Sequence, residues 1–490
     1  MVKTILLACV MALIAASAAF GQAYYIESIT FESNGRSSEY QLAIKAEIRE
    51  GTQFRDKLAL EVYLADKRQI LLNERVLESV EISIFEKSVD SDNRIPVEIF
   101  IRTVDTWNII ALPYFRYDSN EGLLLSIRAR DYNFLGSMVP LRINFNLEED
   151  LAGDTFWGAD ADFSYPFPAF GLDWDWSLAG AFAIEGVDAP VRGFLETALK
   201  AALPLGPGFL ELKAGQTGWF NRVDGDEVPY DDPFYLRSAA STGWRLPADI
   251  PWLPLQAWVR PRVELGFNWL PGGLSDPDLD LGPTGTAGLG FAYGRADWIG
   301  NFRRGLTFSA DASLDYYIMD ADWSSTLTMT GEAFFAHGWV GPSARLYAVR
   351  MFDGTTDSAG AAVRGVLNTR AETDAAISLN LDLPVRIIRF MPYEWFDKGW
   401  MKLFQIEQHW SPFLDMTLGH YDDTWFDPAK GWYGAGIEVI TFPQVMRSFY
   451  IRISLGWSIP DVLDLGSPSG KSLRDGKGIN EVFIGIGHHY

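Results

Sequence analysis

Side chains that commonly perform catalysis or bind metals are few and scattered along this chain of 490 residues. The histidines form no HExxH motif and accompany no GxSxG motif; they are His337, His409, His420, His488 and His489. A zinc hydrolase needs ligands at chelating spacing, and a serine hydrolase needs a nucleophile aligned with a histidine. His488 and His489 are neighbours, and neighbouring residues of a strand point to opposite faces, so they do not readily hold one ion. We therefore expect no enzyme, with no catalytic residue, no metal site and no cofactor.

Cysteine use and net charge exclude further classes of site. Cys9 is the only cysteine and lies in the apolar N-terminal run, so we expect no disulfide framework, thiol nucleophile or thiolate metal site in the rest of the chain. The acidic run 224–232 could bind calcium weakly, although a solvated loop is the commoner state of such a run. The formal net charge of −23 disfavours a nucleic-acid partner, because phosphate binding needs a basic surface.

The first residues predict export. Lys3 provides a basic start, residues 5–19 are apolar, and small residues at 19 and 21 or at 21 and 23 offer a cleavage site. This pattern is typical of a secretory signal peptide, which we assign to residues 1–21. The alternative is an uncleaved N-terminal anchor. No second apolar run reaches the roughly 18 residues of a membrane-spanning helix.

Residues 24–106 mix helical and strand patterns. Strands are predicted first and last, with two short amphipathic helices between them and Gly51 separating the helices. The predicted strands are 24–31, 76–85 and 95–104, and the predicted helices are 38–49 and 56–64. The order β-α-α-β-β in about 80 residues indicates a small α+β domain.

From residue 107 onward, apolar and polar residues alternate with a period of two, which is typical of β-strands. Segments of about ten residues alternate apolar and polar side chains, and polar connections rich in Gly, Pro and Asp separate them. Asp311, Asp315 and Arg452 lie in the middle of such segments, as expected where one face lines a wet lumen and the other meets lipid. About 24 residues per strand and connection predict about sixteen strands, to within about two. The alternative is a soluble sandwich, whose strands also alternate.

The end of the chain is a predicted strand that must find a partner. Val482, Ile484 and Ile486 share one face of residues 481–490, and the chain stops on Tyr490. Pairing with the first barrel strand, near residues 108–117, would close a barrel and leave no free edge. An ordinary edge strand of a soluble β domain is the alternative.

Taken in order, these segments resemble the BamA/TamA superfamily of outer-membrane assembly proteins, the bacterial surface antigen family. The run Ile26-Glu27-Ser28-Ile29-Thr30-Phe31, followed by Gly35 and Gly51, is similar to the beginning of a POTRA domain. Residues 107–117 and the run Asp-Tyr-Asn-Phe-Leu-Gly at 131–136 resemble that family's first barrel strands. The resemblance implies a single POTRA-like periplasmic domain over 24–106 and a transmembrane β-barrel over 107–490, in a bacterial outer membrane.

The family's specific signature is a V/I-R-G-F/Y motif on a loop that folds into the lumen. Two segments match: residues 191–194, and Val363-Arg364-Gly365-Val366. Five strands follow the motif in the family, and the second segment leaves about 25 residues for each, whereas the first leaves about 60. We therefore assign the motif to Arg364. The alternative is a solvated loop arginine.

The resemblance also supplies a partner for this arginine. The run Phe413-Leu414-Asp415-Met416 resembles the strand motif whose aspartate pairs with the loop arginine, and an arginine buried in a barrel needs such a carboxylate. Asn380 stands where family members often carry a glutamate, which weakens one polar partner of the loop.

The resemblance implies assembly or insertion of outer-membrane proteins, or protein translocation. Client strands would add to an edge strand of the small domain, at Val80, Ile82 and Ile84. The barrel would open laterally between its first and last strands, at a seam marked by Gly485, Gly487 and Tyr490. The expected partners are unfolded outer-membrane or secreted client proteins, the lipid bilayer, and periplasmic or accessory assembly factors. The alternatives are a two-partner-secretion transporter for one dedicated passenger, and a passive structural pore.

Overall fold

The computed structural model describes residues 23–118, 122–149, 155–185, 191–220, 234–248, 250, 255–270, 282–318, 321–356, 362–366, 372–396, 398–421, 424–459 and 481–486. The expected signal peptide, the acidic run 224–232, Gly487 and the terminal residues through Tyr490 lie outside the described residues. The chain divides into two units. The smaller comprises the chain through Asn108 together with Tyr132–Met138, and the larger comprises Ile109–Asp131 and Val139 onward.

The smaller unit is a four-stranded sheet with two helices. Its elements in chain order are β1 (Ala23–Asn34), α1 (Glu39–Ala46), β2 (Gln53–Phe54), α2 (Lys57–Asn73), β3 (Leu77–Glu86) and β4 (Arg94–Asp105). The strand order is β2-β1-β4-β3, with β1 parallel to β4 and β3 antiparallel to it. Compared with the predicted β-α-α-β-β order, the structure adds the two-residue β2 between the helices and extends the second helix.

Local sequence explains these helices. Ser38 and Asp56 are N-caps whose side chains accept hydrogen bonds from the backbone N–H of Gln41 and of Ala59. One face of each helix packs on the sheet, and alternate residues of the strands complete the core. Its fully buried side chains include Ile26, Leu42, Leu60, Leu71, Val80, Val97, Ile99 and Ile101.

Residues 132–138 belong to the smaller unit, although the sequence places them with the barrel. Asn133 is fully buried, and its Nδ2 donates to Ser37 Oγ at 2.8 Å and to Asp105 Oδ2 at 3.0 Å. The backbone N–H of Ser38 donates to the Gly136 carbonyl at 3.0 Å. Gly136 has a φ of 75°, and a Cβ on it would collide with the Arg36 carbonyl, so glycine is required.

The larger unit is an antiparallel barrel. Its strands in chain order are β5 (Ile109–Asp118), β6 (Gly122–Asp131), β7 (Leu141–Glu149), β8 (Thr155–Ala169), β9 (Leu172–Glu185), β10 (Arg192–Leu205), β11 (Gly208–Phe220), β12 (Phe234–Ala248), β13 (Ala257–Trp269), β14 (Gly282–Ile299), β15 (Phe302–Tyr317), β16 (Asp322–Phe334), β17 (Ser343–Met351), β18 (Ala375–Asp382), β19 (Val385–Phe390), β20 (Ile406–Tyr421), β21 (Thr424–Trp425), β22 (Trp432–Pro443), β23 (Ile451–Ser458) and β24 (Glu481–Ile486). Apart from the region β18 to β22, each strand pairs with its neighbours in sequence, and β24 lies next to β5.

The barrel has 18 strands in the described part of the chain, against the predicted number of about sixteen. β18 and β19 both pair with β20 and form one strand interrupted at residues 383–384, and β21 pairs only with the end of β20. Described helical segments of the barrel are short: α3 (Pro392–Phe396) and 3₁₀ segments at Gly399–Phe404 and Pro428–Lys430; a further 3₁₀ turn, Phe134–Gly136, belongs to the smaller unit. Among the described residues, no helix has the length and apolarity needed to cross a membrane.

Alternation of side chains separates the two faces of the barrel wall. In β20, His409, Phe413 and Asp415 are buried towards the interior, whereas Trp410 and Leu414 are exposed on the outer surface. The charged residues that the sequence places in mid-strand have partners on the inner face: Asp311 binds Arg262 through two hydrogen bonds, and Asp315 accepts from Thr286. The wall therefore has a polar inner face and an apolar outer face.

Candidate functional site

A loop between β17 and β18 carries the Arg364 motif. Residues 362–366 of this loop are described, and its base is closed by paired backbone hydrogen bonds of 2.9 Å between Thr356 and Thr373. The residues Ala362, Val363, Arg364 and Val366 are almost completely buried. The motif is therefore fixed against other parts of the barrel rather than solvated.

Arg364 and Asp415 form a bidentate ion pair. Nε of Arg364 lies 2.7 Å from Oδ2 of Asp415, and Nη2 lies 2.7 Å from Oδ1. The Arg364 backbone N–H also donates to Oδ2 at 3.0 Å. Phe413 stacks beneath the guanidinium, with Cζ 3.7 Å from the ring centroid. The structure thus brings together the arginine, the aspartate and the phenylalanine that the sequence motifs single out.

Two further carboxylates bind the same guanidinium, and sequence reasoning missed both. Nη1 of Arg364 donates to Asp382 Oδ1 at 2.8 Å and to Glu438 Oε1 at 3.0 Å. The side chain of Arg364 is 1% exposed, so its charge is neutralised by carboxylates instead of water. A lone acidic residue at an inward position of an otherwise uncharged strand is the signal that could have identified Glu438 on β22.

Glu438 extends this network to the last strand. Its Oε1 lies 3.5 Å from Nη1 of Arg452 on β23, and Arg452 is itself buried. The Arg452 guanidinium lies over the ring of Phe483 on β24, at 4.4 Å from the centroid. A continuous series of contacts therefore runs from the lumen loop through Arg364, Glu438 and Arg452 to Phe483.

Glycines on the facing strands make room for the loop. A Cβ on Gly434 would collide with the Arg364 carbonyl, and one on Gly456 would lie 2.8 Å from the Gly365 nitrogen. Gly365 has a φ of 89°, and a Cβ on it would lie 2.6 Å from the Trp457 nitrogen. Both its conformation and its close approach to β23 therefore require glycine.

Apolar and amide contacts complete the docking of the loop. Val363 and Val366 pack with the fully buried Trp432. Asn380 donates from Nδ2 to the Ala362 carbonyl at 2.6 Å. The amide therefore holds the loop backbone through a neutral contact.

A second group of residues anchors the end of the loop. Asp374 binds Arg350 and accepts from Nδ1 of His420 at 2.8 Å. The Thr373 hydroxyl donates to the His420 carbonyl at 2.7 Å. The ring of Trp425 stacks on His420, with centroids 4.1 Å apart. Among the described residues, no group of three or more His, Cys, Asp or Glu is arranged to hold a metal ion.

The last strand reaches the first at Gly485. A Cβ on Gly485 would lie 3.0 Å from the Tyr114 hydroxyl of β5 and would collide with the Phe483 ring. Gly485 pairs in register with Arg452. The absence of a side chain at Gly485 leaves space for Tyr114 and Phe483 at the junction. The other two predicted seam residues, Gly487 and Tyr490, lie outside the described residues.

The predicted client-binding residues lie on an edge strand, but their side chains face inward. β3 pairs only with β4 and forms one edge of the small sheet. Val80 is fully buried, and Ile82 and Ile84 pack against the same core. Nε of Arg68 donates to the Val80 carbonyl at 2.7 Å and occupies one end of this edge. The edge therefore offers its backbone groups and the outward residues between these three side chains, and the addition of a client strand here stays a prediction.

Comparisons with known proteins give only distant likenesses. No protein-family model and no curated protein matches the chain. Among solved structures, BamA from Haemophilus ducreyi lacking POTRA domains 1–3 is 13% identical, with a TM-score of 0.33 over 94% of this chain and 83% of that one. CdiB from Acinetobacter baumannii is 11% identical, with a TM-score of 0.46 over 95% of this chain and 73% of that one.

A barrel of a different kind matches at a similar level. The siderophore receptor PirA from Acinetobacter baumannii is 10% identical, with a TM-score of 0.33 over 78% of this chain and 67% of that one. Because BamA and PirA give the same TM-score, likeness of this degree carries no argument about family or function.

Proposed function

We propose that this protein is an outer-membrane β-barrel that inserts other proteins into the membrane or translocates them across it. Three features support the membrane placement: the apolar outer face of the strands, the polar inner face, and the secretory signal pattern at residues 1–21. The motifs around Arg364 and Asp415 resemble those of the outer-membrane assembly superfamily, and the proposal extends that resemblance to function.

The observation that carries the proposal is the series of contacts from the lumen loop to the last strand. A loop that only narrowed a pore would need no link to one particular junction of the wall. Here Arg364 is connected through Glu438 and Arg452 to Phe483, beside the junction of β24 with β5. We propose that this junction is the lateral opening through which client strands leave the barrel, and that docking of the loop keeps it closed.

The small domain would act in the periplasm as the receiver of clients. β3 is an edge strand, and an extended client segment could add to it by backbone hydrogen bonding. We propose that the domain is POTRA-like, on the basis of its two helices packed on a mixed sheet with β1 parallel to β4. No catalytic residue or cofactor takes part in this scheme, and the free energy would come from folding and membrane burial of the client.

Depletion of the protein followed by proteomics of the outer membrane tests the proposal. Loss of many barrel proteins would support a role in assembly, and loss of one secreted protein would support export of a dedicated passenger. An unchanged outer membrane would contradict both and favour a passive pore. Planar-bilayer recording is a second test, because a pore gives steady, large conductance, whereas a barrel closed by a docked loop gives small and unstable conductance.

A further inference from the structure

An unusual connection joins β19 to β20. It contains α3 and the 3₁₀ turn Gly399–Phe404, whereas the connection between β8 and β9 at the same end of the barrel has only two residues. Because the strands alternate in direction, this is also the end at which the barrel chain begins, at Ile109. Under the proposed placement, the connection therefore lies at the periplasmic surface of the membrane. We call the described residues of this segment, 391–396 and 398–405, the β19–β20 connection.

Large apolar side chains of this connection are exposed together. Trp395 is 62% exposed and Trp400 is 55% exposed. The set consists of Trp395, Phe396, Trp400, Leu403 and Phe404. Five such residues within ten positions form a patch that a soluble surface rarely presents without a partner.

The patch continues the lipid-facing surface of the barrel wall. Phe390, at the end of β19, pairs with Ile406 and therefore lies on the same outer face as Ile388 and Trp410. The ring of Phe390 contacts that of Trp395 edge-to-face, with centroids 5.5 Å apart. Trp400 and Phe404 pack in the same way, at 5.7 Å. The apolar surface of the strand therefore extends into the connection through the contact of Phe390 with Trp395.

Cations accompany the aromatic side chains. Lys398 and Lys402 are exposed, and Lys402 lies over the ring of Tyr393 at 4.9 Å from the centroid. Among the described residues of this region, Glu394 binds Arg389, and the sequence places one further acidic residue, Asp397, beside Lys398. Aromatic rings beside lysines are the combination that lies at the boundary between acyl chains and phosphate headgroups.

We infer that the β19–β20 connection is a membrane-surface element that inserts its aromatic side chains into the periplasmic leaflet, with Lys398 and Lys402 against anionic phospholipid headgroups. This inference rests on the membrane placement that forms part of the proposed function. The element lies two strands from β23, so it would fix the lipid surface near the proposed lateral opening.

Site-directed spin labelling of the full chain in phospholipid vesicles tests the inference. With Cys9→Ser removing the only native cysteine, single labels are placed by Trp400→Cys, by Leu265→Cys on the outer face of β13, and by Val62→Cys on α2 of the small domain. Collision rates with oxygen, which enters lipid, and with a water-soluble nickel complex report the surroundings of each label. Heat-modifiable migration verifies that each labelled chain is folded.

The inference predicts lipid surroundings at Trp400→Cys and Leu265→Cys and aqueous surroundings at Val62→Cys. Water at Trp400→Cys with lipid at Leu265→Cys would overturn the inference and leave the membrane placement intact. Water at Leu265→Cys would overturn the membrane placement itself.

A second comparison tests the role of the lysines. In vesicles that contain phosphatidylglycerol, Lys398→Glu with Lys402→Glu should raise the nickel collision rate at Trp400→Cys severalfold and leave that at Leu265→Cys unchanged. In vesicles of phosphatidylcholine alone, the same pair of substitutions should have a smaller effect. Equal effects in the two lipids would overturn the assignment of anionic headgroups.

Discussion

Arg364 and Asp415 are joined by three hydrogen bonds, of which two come from the guanidinium at 2.7 Å and one from the backbone N–H at 3.0 Å. Both side chains are buried, so water does not replace the bonds of this pair if one partner is removed, although Asp382 and Glu438 still bind the guanidinium. The pair therefore determines whether the loop is docked on the barrel wall or released.

Removing the charge of Asp415 should release the loop. Breaking a buried ion pair costs about 3–5 kcal/mol when the remaining charge is left without a partner. Arg364 keeps Asp382 and Glu438, so we expect a smaller cost, which favours the released state roughly tenfold or more. In a Cys9→Ser chain, we expect Asp415→Asn to increase the rate at which a thiol reagent labels Val363→Cys, a position buried in the docked loop. Asp162→Asn is the control, since Asp162 pairs with Arg142 where both side chains are about half exposed. Equal labelling rates in the parent and in Asp415→Asn would contradict the docking role.

Adding one methyl group at Gly434 should displace the loop without altering any charge. The new Cβ would collide with the Arg364 carbonyl, so we expect Gly434→Ala to expose Val363→Cys to the same reagent. Gly285→Ala is a matched control, because a Cβ there has no atom within 4 Å. If both alanine variants label as slowly as the parent, the close packing of the loop on β22 does not hold it in place.

Arg452 should transmit the state of the loop to the last strand. Replacing it by glutamine removes both its interaction with Glu438 and its contact with the Phe483 ring. We expect Arg452→Gln to accelerate hydrogen exchange in residues 481–486 as well as labelling of Val363→Cys. The control is Arg142→Gln, which alters an exposed ion pair on β7. Faster labelling with unchanged exchange in β24 would show that the contacts do not couple the two regions.

The edge of the small domain should contact clients through β3. A photo-cross-linking amino acid at Ser83, which is exposed on β3, should capture unfolded client proteins in cells. The same residue at Val62, exposed on α2, should capture few of them because a helix surface offers no free backbone edge. Equal yields at the two positions would argue against strand addition at this edge.

The sequence predicted those features of the fold that depend on the local pattern of residues. Alternation predicted an antiparallel barrel, and the spacing of strands pointed to Arg364, which lies on a buried loop, over Arg192, which begins strand β10. It predicted about sixteen strands to within about two, and the described barrel has 18; the interruption of one strand at residues 383–384 and the varied connections leave no constant period from which an exact number could be derived. Nor could it assign Asn133 to the small unit, since the contacts with Ser37 and Asp105 join residues far apart in the chain.

The sequence also could not predict the direction in which some side chains point. The pattern of β3 identified an edge strand, but the inward orientation of Val80 follows from which face the helices cover. Likewise, Asp382 and Glu438 became partners of Arg364 only when β18 and β22 closed around the loop from either side of β20. Such long-range convergence has no signature in a single sequence.

Cross-linking the junction between β24 and β5 tests the proposed lateral opening most directly. In cells whose only copy carries Cys9→Ser, Tyr114→Cys and Gly485→Cys would be joined by a short bismaleimide, since these positions face each other across the junction. Ile453→Cys with Ile484→Cys, paired in register between β23 and β24, serves as the control. The measurement is pulse-labelling of newly made outer-membrane and secreted proteins, with and without the bismaleimide in the same double-cysteine chain, because a Cβ at position 485 by itself crowds the Phe483 ring. We predict that the first cross-link stops client delivery and the second does not. Equal delivery with both pairs cross-linked would contradict the proposed lateral opening.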